Sequence, residues 1–236
     1  MGREKTFRFK QFSVLNDRTA MKVGTDGVLL GAWCPVEGIH RVLDVGTGCG
    51  VIALMIAQRN SGAVITGIDI DEGAIEEASL NFANSPWGER LTANLADFND
   101  LKDGDRYDLI VSNPPYFTDS LSSPEASRTI ARHTRSLTYR QLIEGAAHLL
   151  TGEGILALIS PTDAEGDITE AATFASLPVR RITRVIPVEG AAPKRTLWIL
   201  SRRDILYRED ELTIARPDGT FTQEYIDLTR DFYLKM

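Results

Sequence analysis

Hydrophobic and polar positions alternate in blocks along the middle of the chain, and these blocks predict strands and helices in turn. Four apolar runs have the length and composition of buried strands: "RVLDVGTG", "AVITGIDID", "YDLIVSN" and "GILALIS". Three intervening segments predict helices: "GVIALMIAQRN", "EGAIEEASLNFANS" and "TYRQLIEGAAHLL". Asp71 is expected to cap the second helix, and Gly152 to follow the end of the third. This alternation predicts a parallel, doubly wound sheet.

Weaker blocks complete the predicted sheet. "RLTANLADF" predicts a short strand, and "AEGDITEAATFASL" a helix. "VRRITRVIPV" and "KRTLWILSRR" then predict two strands joined by a Gly/Pro turn with no helix between them, so we expect an antiparallel pair at the sheet edge. The final "TQEYIDLTRDFY" predicts a short amphipathic helix. The predicted fold is therefore α/β, with a mostly parallel seven-stranded sheet, an antiparallel edge and helices on both faces.

The first 35 residues do not fit this alternation of strands and helices. We therefore expect residues 1–35 to form an N-terminal extension that packs near the ligand edge of the sheet. Residues 36–236 are then the main domain. The whole chain of 236 residues, 43% of them hydrophobic, is long enough for one sizeable α/β core.

Composition restricts the setting in which the protein works. No apolar stretch approaches the length that crosses a bilayer, and "MGREKTFRFKQF" lacks the apolar core of a secretory signal. Cys34 and Cys49, the two cysteines, have neither metal-binding nor redox-motif spacing. We therefore expect a reduced, cytoplasmic protein without a metal site or a membrane partner. The sequence sets no oligomeric state.

The charge distribution bears on the type of partner. A net charge of −7 argues mildly against a nucleic-acid partner. Basic residues nevertheless outnumber acidic ones in three segments, 1–22, 128–140 and 180–203. Such segregation can build a basic face on an acidic body, which suits nucleic acid. The alternative is that these segments are solvated loops and strand edges.

A glycine-rich turn follows the first strand of the αβ alternation. In "DVGTGCG", residues 44–50, the glycines let the backbone turn tightly and approach a ligand closely. Asp44 would repel a pyrophosphate but suits a ligand with a positive end, such as the amino group and sulfonium of S-adenosylmethionine. Asp69, at the end of the next strand, is placed to hold ribose hydroxyls. The alternative is a turn that serves packing alone.

A second motif, Asn113-Pro114-Pro115-Tyr116, ends the strand "YDLIVSN". The prolines fix φ and remove two backbone donors, so the Asn113 amide oxygen and the Pro114 carbonyl are left as acceptors for an –NH₂ group. Tyr116 offers a flat face for a planar ring. Held by two acceptors, the amine nitrogen bends toward tetrahedral geometry and directs its lone pair at a methyl donor. The motif predicts methylation of a planar amine through orientation and charge stabilisation.

On these two motifs the chain resembles the class I, Rossmann-like S-adenosylmethionine-dependent methyltransferases. The resemblance implies S-adenosylmethionine as cofactor and a set of cofactor-binding residues: Asp44, Gly46, Gly48, Asp69, Asp97 and Asn113. It also implies that the Asn-Pro-Pro-Tyr turn is catalytic and acts on adenine N6, guanine N2 in RNA, or a glutamine amide in a protein. For Asp97, in "LADFND", the alternative is a turn aspartate.

Both termini narrow the expected substrate. "FRFKQFSVLNDRTAMKVGTDGVLLGAW" and "DGTFTQEYIDLTRDFYLKM" resemble bacterial tRNA methyltransferases that modify adenine N6 beside the anticodon of a valine tRNA, at adenine 37. The resemblance implies tRNA, through its anticodon loop, as the partner. Substrate-binding residues are then expected to be Tyr116, Phe117, Lys22, Arg128, Arg132 and Arg135. The alternatives are a guanine-N2 methyltransferase of ribosomal RNA, a protein glutamine methyltransferase, or a non-catalytic RNA-binding module.

Two features of the N-terminal segment stay open at this point. Phe7, Phe9 and Phe12 alternate with basic residues at strand spacing, which suits either stacking on unpaired bases or one buried aromatic face. Asp26 is expected near the cofactor and the target base, or alternatively as the cap of a helix that begins at Gly27.

Overall fold

The computed structural model describes residues 6–19, 22–101, 106–115 and 137–235. The described strands are β1 (Thr6–Arg8), β2 (Ser13–Leu15), β3 (Arg41–Val45), β4 (Val64–Asp69), β5 (Leu91–Leu95), β6 (Tyr107–Ser112), β7 (Leu150–Pro161), β8 (Val179–Val188), β9 (Arg195–Ser201) and β10 (Arg208–Ala215). The described α-helices are α1 (Thr25–Trp33), α2 (Val51–Arg59), α3 (Glu72–Ala83), α4 (Tyr139–Leu149), α5 (Glu165–Phe174) and α6 (Gln223–Thr229).

The central sheet has the strand order β10-β8-β9-β7-β6-β3-β4-β5. β9 runs antiparallel to both of its neighbours, and the other pairs are parallel. The predicted mostly parallel α/β sheet is confirmed, as is the antiparallel pairing of β8 with β9. The sheet has eight strands instead of seven, because β10 adds to β8 and so becomes the edge. β10 is mainly polar and only Leu212 is buried, which is why its pattern predicts no strand.

The order of the strands reverses between β3 and β6. From β3 the sheet continues to β4 and β5 on one side, and through β6 to β7 on the other. In open α/β sheets, ligands bind outside the carboxyl ends of the strands at such a switch point. A buried hydrogen bond joins the two strands there, from Ser112 Oγ to the carbonyl of Val45 at 2.9 Å.

Two hydrophobic layers cover the sheet. Alternation along β3 sends Val42 to one layer and Leu43 to the other. The first layer contains residues of α1, α2 and α3, and the second contains residues of α4 and α5. The fold therefore places helices on both faces, as the sequence predicts.

Residues of the N-terminal segment share the first layer. Phe9, Phe12 and Val14 are buried in it, together with most of α1. The rings of Phe9 and Phe12 stack at 4.6 Å, so for these two the alternative of a buried aromatic face is the one observed. Phe7 keeps 37% of its surface exposed. A domain boundary at residue 35 stays a prediction.

Helix ends follow the predicted chemistry in one case and depart from it in two. Asp71 caps α3 by accepting the N–H of Ala74 at 2.9 Å, as predicted. Gly152 does not end α4, because Leu150 takes the C-cap position in extended geometry and the chain passes directly into β7. Asp26 is not a cap, because α1 already begins at Thr25.

Candidate active site

The ends of four parallel strands lie in a row at the carboxyl edge of the sheet. Val45 of β3 is in register with Ser112 of β6, so the next residues, Gly46 and Asn113, leave adjacent strands side by side. Neighbouring strands are about 4.8 Å apart. Asp69 ends β4 and pairs with the last residue of β5. The two motifs that are far apart in sequence thus meet at the switch point.

The glycine turn, residues 46–50, presents backbone to an open space. The N–H groups of Gly46 and Thr47 both donate to the carbonyl of Ile68, at 2.9 Å each. Gly46 has φ +70° and Gly48 has φ +55°, which favour glycine, and a Cβ at either position would meet nothing within 4 Å. The turn is therefore tied to β4 behind it and leaves room for a ligand in front.

Asp69 is a fixed acceptor beside this turn. Its Oδ2 accepts the N–H of Gly48 at 3.0 Å, and its Oδ1 accepts the N–H of Asp71 at 3.0 Å. Each oxygen of a carboxylate has a further lone pair. A half-buried carboxylate held in this way can accept from two neighbouring hydroxyl groups.

Asp44 lies buried beneath the turn. Its Oδ2 accepts from Thr47 Oγ1 at 2.7 Å, whereas its Oδ1 has no hydrogen-bond partner among the described residues. Burial raises the pKa of Asp44 to about 7, and the Asp69 carboxylate adds to this rise, against the hydrogen bonds from Thr47 and the Ala53 N–H. An orphaned acidic oxygen at this place fits a ligand that brings a positive group.

Asp97 follows β5 and takes part in a local turn. It caps the short 3₁₀-helix Phe98–Asp100, and its Oδ1 accepts the N–H and the side-chain amide of Asn99 at 2.9 and 3.0 Å. The turn role that the sequence allowed is therefore present. Asp97 is half-buried at the same edge as Asp69, and its contact with an adenine amino group stays a prediction.

The described part of the second motif ends at Pro115. Asn113 is half-buried, Pro114 is buried and Pro115 is exposed. Several predicted site residues lie outside the described residues, and their roles stay predictions: Tyr116, Phe117, Arg128, Arg132 and Arg135.

Lys22 and Asp26 take up contacts within the protein. Lys22 Nζ donates to the carbonyls of Asp17 and Thr19 at 2.9 and 3.0 Å. Asp26 forms an ion pair with Arg195, the first residue of β9, at 2.8 Å. In the structure the Lys22 ammonium group binds carbonyls of its own N-terminal segment. A substrate-binding role for Lys22 stays a prediction.

Sequence reasoning missed two polar residues that border the site. Glu77 and Asn81 are buried on the inward side of α3, among Ala74, Ala78 and Phe82. Glu77 receives main-chain amides of residues 17–19, and Asn81 bonds both Leu15 and the glycine turn. The signal in the sequence is a pair of polar residues four apart on an otherwise apolar helix face.

Two open hollows of about 520 Å³ each lie away from the glycine turn. One, beyond the end of β7, has three acids and one arginine in its wall, Asp163, Asp167, Glu170 and Arg140, and this acidic balance disfavours a phosphate ligand. The other lies between α4 and the 3₁₀-helix after β5. We place the site at the switch point instead, because the fixed carboxylate of Asp69 and the unpaired Oδ1 of Asp44 are there.

The described part of the chain contains neither a candidate metal-binding cluster nor a candidate membrane-spanning helix. No group of three or more His, Cys, Asp or Glu in those ranges is arranged to hold a metal ion. Nor does any helix there have the length and apolar character that a membrane span requires.

The switch-point crevice, the glycine turn and the acid that ends β4 define a class I, Rossmann-like methyltransferase fold. A predicted O-methyltransferase from Agrobacterium tumefaciens has a similar fold, with a TM-score of 0.66 and 20% identity over 88% of this chain and 96% of that one. An O-methyltransferase family protein from Burkholderia thailandensis gives a TM-score of 0.54 and 17% identity, over 74% and 55% of the two chains. At such identities the likeness concerns the fold alone.

Sequence comparison is more specific. Residues 25–167 match the family "Methyltransferase small domain". A protein of Bacteroides thetaiotaomicron named tRNA1(Val) (adenine(37)-N6)-methyltransferase is 46% identical, over 98% of both chains. Proteins of the same name from Flavobacterium johnsoniae and Tolumonas auensis are 46% and 42% identical, over 98% of this chain in each case. The chain belongs to the methyltransferase small domain family.

Proposed function

We propose that this protein transfers a methyl group from S-adenosylmethionine to the exocyclic N6 of adenine 37 in the anticodon loop of tRNA1(Val). The observation that carries this proposal is the placement of Asn113 and Pro114 beside the glycine turn at the switch point. The named relatives, which match over nearly the full length, support the choice of substrate.

The residues that would hold the cofactor fit its chemical groups. S-adenosylmethionine supplies an electrophilic methyl group on a sulfonium centre. Gly46 and Gly48 leave room for it, Asp69 accepts hydroxyl groups, and the orphaned Oδ1 of Asp44 accepts a cationic donor. Asp97 would receive the adenine amino group. These residues suit a cationic ligand better than a pyrophosphate, because the carboxylates of Asp44 and Asp69 would repel an anion.

The second motif acts on the target amine. The lone pair of an adenine amino group is delocalised into the ring, so the amine is a poor nucleophile. The Asn113 side-chain oxygen and the Pro114 carbonyl would accept its two N–H groups and favour the tetrahedral geometry that frees the lone pair. The prolines hold these acceptors in place because their φ angles are fixed. The proton leaves during or after transfer.

Substrate binding would use parts of the chain that flank the crevice. We propose residues 1–35 as an N-terminal extension of a methyltransferase domain, 36–236, in the cytoplasm. Arg128, Arg132 and Arg135 follow the second motif in sequence and would bind phosphates, with Tyr116 and Phe117 against the base. A loop adenine can be turned out at low energetic cost, because it is not paired in a duplex.

The proposal is tested by nucleoside mass spectrometry of tRNA1(Val) transcripts incubated with the protein and S-adenosylmethionine. We expect N6-methyladenosine in the wild-type transcript, and none when adenine 37 is replaced by guanine. Bulk ribosomal RNA and a protein fraction serve as parallel substrates. Methyl transfer only to guanine N2 in ribosomal RNA, or only to protein, would overturn the tRNA assignment, and no transfer to any of them would favour a non-catalytic module.

A further inference from the structure

Glu77 is a buried charge whose hydrogen bonds, among the described residues, come from the main chain. It faces inward on α3 and has no exposed surface. Its Oε1 accepts the N–H groups of Asp17 and Arg18, the latter at 3.0 Å, and its Oε2 accepts that of Thr19 at 3.2 Å. Successive amides around one anion form a nest and fix the backbone that carries them. We name residues 17–19 the docked turn.

Asn81, one helical turn further along α3, joins the same segment to the glycine turn. Its Oδ1 accepts the N–H of Leu15 at 2.8 Å, and its Nδ2 donates to the carbonyl of Leu15 at 2.9 Å. The same Nδ2 donates to the carbonyl of Cys49 at 2.8 Å. One buried amide therefore holds the N-terminal segment and the glycine turn together.

The docked turn lies against the start of α3, close to the carboxylate that would hold the ribose. A Cβ at Gly73 would stand 3.7 Å from the Cβ of Arg18, an ordinary van der Waals contact, so the turn packs directly on the start of α3. Asp71, two residues before Gly73, donates its N–H to Asp69. On the other side of the turn, Lys22 Nζ donates to two of its carbonyls. The turn is thus held from both sides at the rim of the crevice.

Glu77 is a charged residue on the buried face of α3. Its neighbours Ala74, Ala78 and Phe82 are apolar, and burying a charge is unfavourable unless hydrogen bonds compensate for it. What the carboxylate secures is the position of the docked turn. We propose that Glu77 is a positioning residue, which with Asn81 holds the docked turn as a fixed wall of the cofactor crevice and so sets the affinity for the cofactor. This inference rests on the proposed function, because it takes S-adenosylmethionine as the ligand.

Calorimetric titration with S-adenosylmethionine tests the proposal on the full chain. We expect Glu77→Gln to raise the Kd about tenfold, because one oxygen acceptor and the charge are lost from the nest. The matched control is Glu76→Gln, since Glu76 is exposed and pairs with the Arg18 side chain. It should leave the Kd within about twofold. Hydrogen exchange at the amides of residues 15–19 should become faster in Glu77→Gln alone.

Kinetics separate positioning from a general loss of structure. At saturating S-adenosylmethionine, Glu77→Gln should keep its kcat on tRNA within about twofold, while its KM for the cofactor rises with the Kd. Ile168→Val, in the layer on the opposite face of the sheet, is a stability control that should lower the melting temperature and leave the Kd unchanged.

Two outcomes would overturn the proposal: a wild-type Kd in Glu77→Gln, or a kcat that falls in parallel with the melting temperature while KM stays constant. If Glu77→Gln does not fold, Asn81→Asp is titrated in its place. It keeps the acceptor for the Leu15 N–H and loses the donor to the carbonyls of Leu15 and Cys49, so an unchanged Kd then rejects the proposal. The titration needs no tRNA. A wild-type protein that binds the cofactor but leaves tRNA unmodified would reject the proposed function and leave this test valid.

Discussion

At the scale of single residues, the candidate site consists of acceptors held in place before any ligand arrives. Asp69 is fixed by two backbone amides, and Asp44 accepts from the Thr47 hydroxyl while its Oδ1 has no partner among the described residues. Asn113 stands next to the glycine turn through the register of β3 and β6. Fixed acceptors stabilise a transition state without reorganising, which is the form of catalysis that this site can provide.

Replacing Asn113 by alanine tests its predicted catalytic role, which we expect to outweigh its predicted contribution to cofactor affinity. We expect kcat to fall by about 100-fold or more, because an acceptor for the amine is lost. The Kd of S-adenosylmethionine should stay within about twofold, since Asp44, Asp69 and the glycine turn are intact. Tritium transfer to tRNA and calorimetry measure the two effects. Asn84→Ala, at an exposed position after α3, is the control, and turnover equal to wild type in Asn113→Ala would reject the catalytic role.

Asp44 predicts a pH dependence of stability. Its pKa is about 7 in the folded protein against an ordinary 3.8, so its contribution to stability is complete below pH 4 and is lost as pH rises through 7. Between pH 6 and 8 the wild-type melting temperature should therefore fall by roughly 3 °C more than that of Asp44→Asn. Differential scanning calorimetry without cofactor measures this difference. Parallel pH profiles for the two proteins would contradict the raised pKa.

At the scale of elements, contacts between distant segments decide where helices and strands sit. The ion pair between Asp26 and Arg195 ties the first turn of α1 to the start of β9. Both side chains are partly buried, so the pair is screened less than a surface pair.

A double-mutant cycle measures this tie. We expect Asp26→Asn and Arg195→Gln each to lower the free energy of unfolding, and the double variant to show a coupling of roughly 1 kcal/mol. Urea denaturation gives the four free energies. Arg140 and Glu144, an exposed pair within α4, provide the matched control, for which we expect a coupling of about 0.3 kcal/mol. Additive effects of the Asp26 and Arg195 variants would show that the pair stabilises nothing.

The elements also show how far pattern reasoning extends. The strand–helix alternation from β3 to β9 was predictable, because long apolar runs and Asp71 carry local signals. β10 was not predictable, since its eight residues are mainly polar and become a strand by pairing with β8. Gly152 failed as a helix end for a related reason. Leu149 and Leu150 are buried, and their packing turns the chain into β7 without a left-handed residue.

At the scale of the whole molecule, most of the excess positive charge of residues 180–203 is paired with acidic side chains. Four arginines of residues 180–203 form ion pairs: Arg181 with Asp210, Arg184 with Glu165 and Glu209, Arg195 with Asp26, and Arg203 with Glu153. Arg202 donates to the carbonyl of Ala147. Four of the seven basic side chains of this segment are therefore paired with acids, and we expect tRNA binding to use other basic residues.

Salt-dependent binding tests where tRNA is held. Alanine at Arg128, Arg132 and Arg135 together should weaken tRNA binding and reduce the slope of log Kd against log salt by about 2, because each lost phosphate contact removes less than one unit. The control is Arg202→Ala with Arg203→Ala, at the end of β9 that faces away from the carboxyl edge. That pair should leave the affinity within about twofold. Equal losses in both variants would contradict a phosphate-binding role for the first set.

By itself the sequence determined the alternating α/β plan and the cap at Asp71, and it predicts the chemistry of both motifs, because those signals are local. Only the tertiary structure decided that Gly46 and Asn113 leave neighbouring strands, since register depends on how distant strands pair. It also decided that Arg181, Arg184 and Arg195 pair with acids and that Glu77 receives the amides of the docked turn, because the partners of a buried or paired charge are chosen by packing.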